Sequence, residues 1–225
     1  MEKEIEYVEY VEERATPQPQ FRFVRFGKYS FSFVELRHLL LALFMLLATF
    51  AILQQTLLQV LGYASFSFII FVTVGLGFLL HELGHKFVAQ HFGFVSEFRG
   101  DFPMMLVSLA FAFSGFTLLA PGAVMILGRI DKRQNGIISI AGPLVNLCLA
   151  LFFVGLNLFF SPIPTSFFGM LLEMGIVINV FLGLFNMIPF WIFDGKKVLE
   201  WSKPAYFSTI FALLFVLVFW VSSGI

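Results

Sequence analysis

The sequence predicts an α-helical polytopic membrane protein with about five to six transmembrane helices and a membrane-associated β segment. Three observations carry that prediction. Apolar residues make up 59% of the 225-residue chain and mean hydropathy is +0.92, whereas ordinary globular chains are about 45–50% apolar. Charged residues are 12%, roughly half the usual quarter. Apolar runs close to the ~20 residues that cross a ~30 Å hydrocarbon layer recur along the chain. The 14 Lys and Arg balance the 14 Asp and Glu, so the sequence has no basic footprint for nucleic acid and its expected surroundings are the lipid bilayer.

Residues 1–38 read as an acidic tail followed by an amphipathic β-like segment. Six Glu against Lys3 and Arg14 in the first twenty residues reverse the basic start of a signal peptide, so no cleaved leader is expected. Phe21, Phe23, Phe31 and Phe33 then alternate with polar residues around Gly27, the period-two pattern of a half-buried hairpin. Residues 39–62 hold the first crossing, at 39–61. Residues 63–203 form a core with crossings at 65–92, 137–160 and 167–189, and residues 204–225 hold the last, at 205–221. Cys148, alone in an apolar run, cannot form an internal disulfide and reads as bulk hydrophobic packing.

Residues 104–128 are ambiguous. Ser114-Gly115 and Pro121-Gly122 interrupt them, and LAFAFSGFTLL reads as two short strands about a Ser-Gly turn. Charge placement favours no crossing here. If this run spans, Arg129, Lys132, Arg133, Lys196, Lys197 and Lys203 lie across the bilayer from Arg22, Arg25, Lys28 and Arg37; if it does not, the basic residues collect on or near one side. The expectation is therefore five crossings of the cell membrane, with the N-terminus in the cytoplasm. Residues 94–134 would form a re-entrant or β segment, a shape tolerable at that depth only where protein or a watery cavity covers its backbone.

Ionisable residues inside a crossing are functional candidates by default. The second crossing contains His81-Glu82-Leu83-Gly84-His85. On a helix, positions i and i+4 share a face, so two imidazoles can hold one metal ion beside Glu82. That grouping suits peptide hydrolysis, in which a metal acidifies water and the carboxylate takes its proton. His91 stands where an extended motif would place a third histidine. Val88 occupies the position that motif gives to Gly, however, and on an unbroken helix His91 faces about 80° away from His81. It reads as an interfacial residue.

Asp194 is the better third ligand. Pro189 breaks the helix before it, and the chain after Asn186 can unwind and turn a carboxylate inward. A loop cap, or surface pairing with Lys196 or Lys197, is the plainer alternative. Glu173 reads as interfacial, and Asn179, Gln54 and Gln55 read as helix-packing hydrogen bonders.

Three motifs in order, HELGH at 81–85, Gly142-Pro143-Leu144-Val145-Asn146, and Asn186 to Gly195 with its Asn-x-x-Pro-x-x-x-x-Asp-Gly spacing, make the chain resemble the site-2 protease family of intramembrane zinc metalloproteases. The resemblance covers about residues 65–200. It implies that His81, His85 and Asp194 bind one zinc ion, that Glu82 is the general base, and that Asn146 lies near the scissile bond and holds substrate. It also implies that residues 94–128 receive a transmembrane protein substrate, such as a membrane-tethered regulator. Ile192-Phe193 departs from the proline and aliphatic residue common before Asp-Gly in that family.

Topology agrees with this ligand set. With five crossings, HELGH lies roughly 10 to 16 Å inside the cytoplasmic end of its helix, and Asp194 is delivered to the same side. With six, the two would be some 30 Å apart. A membrane metal transporter or metal sensor using the same His and Asp residues is the rival reading, and Glu82 discriminates, because transit needs no carboxylate placed to take a proton.

Overall fold

A computed structural model of the protein describes residues 23–26, 29–116, 121–190 and 192–223. The acidic tail expected at the N-terminus lies outside them. Strands β1 (Phe23–Phe26) and β2 (Tyr29–Ser32) pair antiparallel, from Phe23↔Ser32 to Phe26↔Tyr29, as the alternation around Gly27 anticipates.

Ser32 ends the hairpin and caps α1 (Phe33–Leu53), its hydroxyl accepting from the Glu35 N–H at 3.0 Å. The first crossing thus starts at 33, which corrects the expected start at 39. Glu35, in the first turn of this helix, is fully buried and paired with Lys86. The chain bends after α1 at Gln54. Helix α2 (Gln55–Ile70) is broken at Gly62, whose φ of +74° suits glycine, and a π turn at Phe71–Gly75 leads into α3 (Leu76–His91). Gln54 and Gln55 are exposed at the bend, so the reading of them as helix-packing hydrogen bonders is also corrected.

Strand β3 (Val95–Gly100) pairs antiparallel with β4 (Gly122–Leu127), in register from Val95↔Leu127 to Gly100↔Gly122. Between them lies α4 (Phe102–Ala112). Two strands were expected about Ser114-Gly115; the first is instead this helix. The Asp101 carboxylate accepts from the Met104 N–H at 3.0 Å and Pro103 sits in the first turn, which together start a helix and outweigh the strand-like composition. The Ser-Gly turn itself is present, with Gly115 at φ +78°.

Helix α5 (Lys132–Phe160) opens with a capping box between Asp131 and Gln134. It is followed by α6 (Phe167–Asn186), the short α7 (Asp194–Trp201) and α8 (Lys203–Ser223). Among the described residues, five helical segments are long and apolar enough to cross a membrane: 33–53, 57–91, 132–160, 167–186 and 203–223. Large apolar side chains such as Phe159 (80% exposed) and Phe215 (70%) point outward, while Ile69, Ala150, Phe153, Leu172, Ile176 and Val180 pack inside. Apolar surface outside a packed core, on helices of this length, is the pattern of an integral membrane protein.

Candidate metal centre

Helix α3 carries His81 and His85 one turn apart on the face turned to α5. Their Nε2 atoms are 3.0 Å apart, and the Asp194 Oδ2 lies 3.4 Å from His81 Nε2 and 3.0 Å from His85 Nε2. All three residues are buried. Asp194 reaches them because the chain folds back at Pro189. Helix α6 stops at Asn186, successive turns follow (Ile188 N–H to Phe185 C=O, Phe193 N–H to Phe190 C=O), and Asp194 begins α7. A Cβ on Gly195 would collide with the Met187 backbone, so the absence of a side chain there allows α7 to start against the end of α6. On α5, a Cβ on Gly142 would meet both imidazole Nε2 atoms. The Gly-Pro motif therefore gives the histidines their room.

Hydrogen bonds behind the rings decide what the front can hold. Asn146 donates from Nδ2 to Gly77 C=O at 3.2 Å and to Asn179 Oδ1 at 3.1 Å, and Asn179 donates to Gly175 C=O at 2.8 Å. Asn146 Oδ1 is thereby fixed as the acceptor facing His81 Nδ1, at 2.6 Å. His85 Nδ1 faces the Ile138 carbonyl at 2.8 Å, again an acceptor. Both rings must carry their proton on Nδ1, which leaves lone pairs on both Nε2 atoms. Two nitrogen lone pairs and a carboxylate oxygen then converge within 3.4 Å. They repel one another unless a cation lies between them. Ligands about 2.0–2.1 Å from a tetrahedral zinc ion stand roughly 3.3 Å apart, so the donors and their spacing fit zinc.

Electrostatics at Asp194 agree. Burial by itself would push its carboxyl up, whereas the neighbouring Lys197 ammonium favours the anion. A metal ligand must be that anion. Its Oδ1 lies 3.6 Å from Lys197 Nζ. The carboxylate thus faces the two imidazoles with one oxygen and Lys197 with the other.

Glu82 opens onto the same cavity of about 110 Å³, shared with Phe78, Val124, Asn186, Asp194 and Lys197. Its Oε2 is buried with no hydrogen-bond partner, an open acceptor next to the ligands. Asn146 is 0% exposed and its side-chain amide is taken up by His81, Gly77 and Asn179. The structure places it behind a metal ligand rather than on the path of a substrate. His91 is exposed at the end of an unbroken α3, and Glu173 is exposed on α6, so neither joins the centre. Sequence reasoning passed over Lys86 and Glu35, which form a buried ion pair at 2.8 Å one residue beyond His85. The available signal was a lysine inside a crossing helix.

A family model described as Peptidase family M50 matches residues 66–169, a span that includes HELGH and the Gly142 to Asn146 motif. "Putative zinc metalloprotease MJ0611" of Methanocaldococcus jannaschii is 41% identical over 150 residues, 64% of this chain and 77% of that protein. "Zinc metalloprotease MJ0392" of the same organism is 28% identical over 64% of this chain and 37% of its own length. "Putative zinc metalloprotease Rip2" of Mycolicibacterium smegmatis is 31% identical over 58% of this chain and 57% of its own. No solved structure matches.

Proposed function

The chain belongs to peptidase family M50 and is a zinc metalloprotease; on that premise we propose that it is an intramembrane endopeptidase that hydrolyses peptide bonds within or near transmembrane segments of other membrane proteins. The observation that carries this reading is Glu82, a buried carboxylate with an unpartnered Oε2, sharing one cavity with His81, His85 and Asp194 and lying on a helix long and apolar enough to cross a membrane. The rival metal-transport reading gives Glu82 no task and is not favoured by the family.

When bound, zinc supplies Lewis acidity, polarising the scissile carbonyl and making water acidic enough to lose a proton near neutral pH. The residues of the chain do the rest. His81, His85 and Asp194 hold the ion, and Asn146 and the Ile138 carbonyl hold the two rings in the tautomer that offers Nε2. Glu82 takes the proton of the attacking water and returns it to the leaving amide nitrogen as the C–N bond breaks. Water adds across the bond, so the products are a carboxylate and an amine.

The peptide bond of a helix is shielded and its carbonyl is already hydrogen-bonded. Substrate must therefore enter unwound. Lys132, Arg133, Lys196, Lys197 and Lys203 lie in α7 and at the starts of α5 and α8. The positive-inside bias puts these ends, and with them the centre, toward the cytoplasmic side of the cell membrane. The substrates of this reading are single-pass proteins such as membrane-tethered regulators.

The test is cleavage of a co-reconstituted single-pass substrate. The protein should cut it, a zinc chelator should stop the reaction, and Glu82→Gln should stop it while zinc stays bound. Undiminished cutting by Glu82→Gln would contradict the mechanism.

A further inference from the structure

Helix α7 begins on a candidate metal ligand, Asp194, and Lys197 stands three residues later in the same turn. Residues three apart are neighbours on a helix surface. The two oxygens of Asp194 are divided between partners: Oδ2 lies 3.4 Å from His81 Nε2 and 3.0 Å from His85 Nε2, whereas Oδ1 lies 3.6 Å from Lys197 Nζ. Among the described residues, no other cation pairs with Oδ1.

Packing keeps the lysine in this place. Gly195 is seated on the Met187 backbone, Val198 is fully buried, and a Cβ on Gly136 of α5 would collide with Trp201 at the far end of α7. The helix is thus held at both ends, with Asp194 and Lys197 facing the cavity and Lys196 exposed. Glu82 lines the same cavity, yet Lys197 pairs with Asp194 and not with Glu82. The proton acceptor is left free.

Such a pair adds little to stability, because the lysine side chain is 39% exposed and water screens its charge. Its consequence is for how the carboxylate binds. A carboxylate can hold a divalent ion through one oxygen or through both. Two imidazoles and one oxygen leave a tetrahedral ion one open position, whereas two imidazoles and both oxygens fill all four. A cation standing at Oδ1 opposes the rotation that would bring this second oxygen onto the ion.

We propose that Lys197 is a positioning residue that holds Asp194 to ligation through Oδ2 alone and so keeps one position of the ion open to water. The inference rests on the peptidase reading and deepens it, because an ion that activates water needs that opening.

Infrared difference spectra of the full-length protein in lipid, with and without zinc and with carbon-13 in the aspartate carboxyls, read this directly. The antisymmetric and symmetric stretches of a carboxylate lie far apart when one oxygen binds the metal and close together when both do. The unsubstituted protein should show the wide separation. Lys197→Met, which removes the charge at similar length, should show the narrow one while holding zinc at least as tightly in competition with a chelator. Its kcat should fall about 10–100-fold, the usual cost of losing a partner behind a metal ligand, with KM nearly unchanged. Lys197→Arg keeps the cation and should restore the wide separation and most of kcat, and Lys196→Met should alter neither.

A wide separation in Lys197→Met overturns the proposal even if cleavage falls, since the lysine would then act on substrate. Weakened zinc in Lys197→Met overturns it as well, by making the lysine a support for metal binding. So does a narrow separation with kcat unchanged. A narrow separation confined to Lys197→Met, in a protein that never cleaves even unsubstituted, upholds the assignment of Lys197 and removes the peptidase reading instead.

Discussion

Helix α3 carries two buried polar clusters that meet at adjacent residues, His85 and Lys86, and they are built on opposite principles. Around Lys86, each charge meets its counterpart inside the protein: the ammonium has Glu35 and the Ser96 carbonyl, and the carboxylate has Lys86 and the Phe98 amide. Around His81 and His85, the hydrogen bonds behind the rings are complete, but the front presents lone pairs to lone pairs. The first cluster is closed and can only hold structure. The second is complete only with a cation, and Glu82 stands open beside it. Chemistry belongs to the cluster that the protein leaves unfinished.

This contrast can be broken by substitution on either side. The largest effect should come from Glu82→Gln, which lowers cleavage by about 10³-fold, within the usual range for a general base, and leaves bound zinc unchanged by metal analysis. Asn146→Leu should weaken zinc about 10–100-fold, as loss of a ring-orienting partner does, measured by competition with a chelator of known affinity. Asn179→Leu acts one bond further back, through the Nδ2 of Asn146, so its effect on zinc affinity should have the same sign and be smaller. Glu35→Ala, in the closed cluster, should reverse the pattern. It strands the Lys86 charge and lowers stability by about 3–5 kcal/mol, read as a lower unfolding temperature, while the folded fraction keeps its zinc affinity. A weaker zinc affinity in Glu35→Ala than in Asn146→Leu would erase the distinction between the clusters.

Much of the site was legible because its chemistry is local. His81, Glu82 and His85 lie within five residues on one helix, where spacing alone fixes the face. Asp194 needed the break at Pro189 to fold back, and the sequence signalled the break without its direction; the turns after Asn186 and the close seat of Gly195 on Met187 supply that. Asn146 was found through its motif, but its partner was not, because a side chain 65 positions from His81 meets it only after α3 and α5 pack. Helix α1 starts six residues before the expected 39 because Ser32 caps it and Lys86, 51 positions away, pairs with Glu35 in its first turn. The first half of LAFAFSGFTLL was read by composition as strand, and a cap at Asp101 makes residues 102–112 a helix. In each case the missing information was a long-range pairing or a short capping interaction.

The central claim, that two imidazoles of α3 and the first carboxylate of α7 meet on one ion, is tested most directly by zinc X-ray absorption on the purified full-length protein and on Asp194→Ala. The account predicts one zinc per chain with two imidazole nitrogens and a carboxylate oxygen near 2.0–2.1 Å, and a lost or much weakened site in Asp194→Ala. The same zinc shell at the same affinity in Asp194→Ala would contradict it.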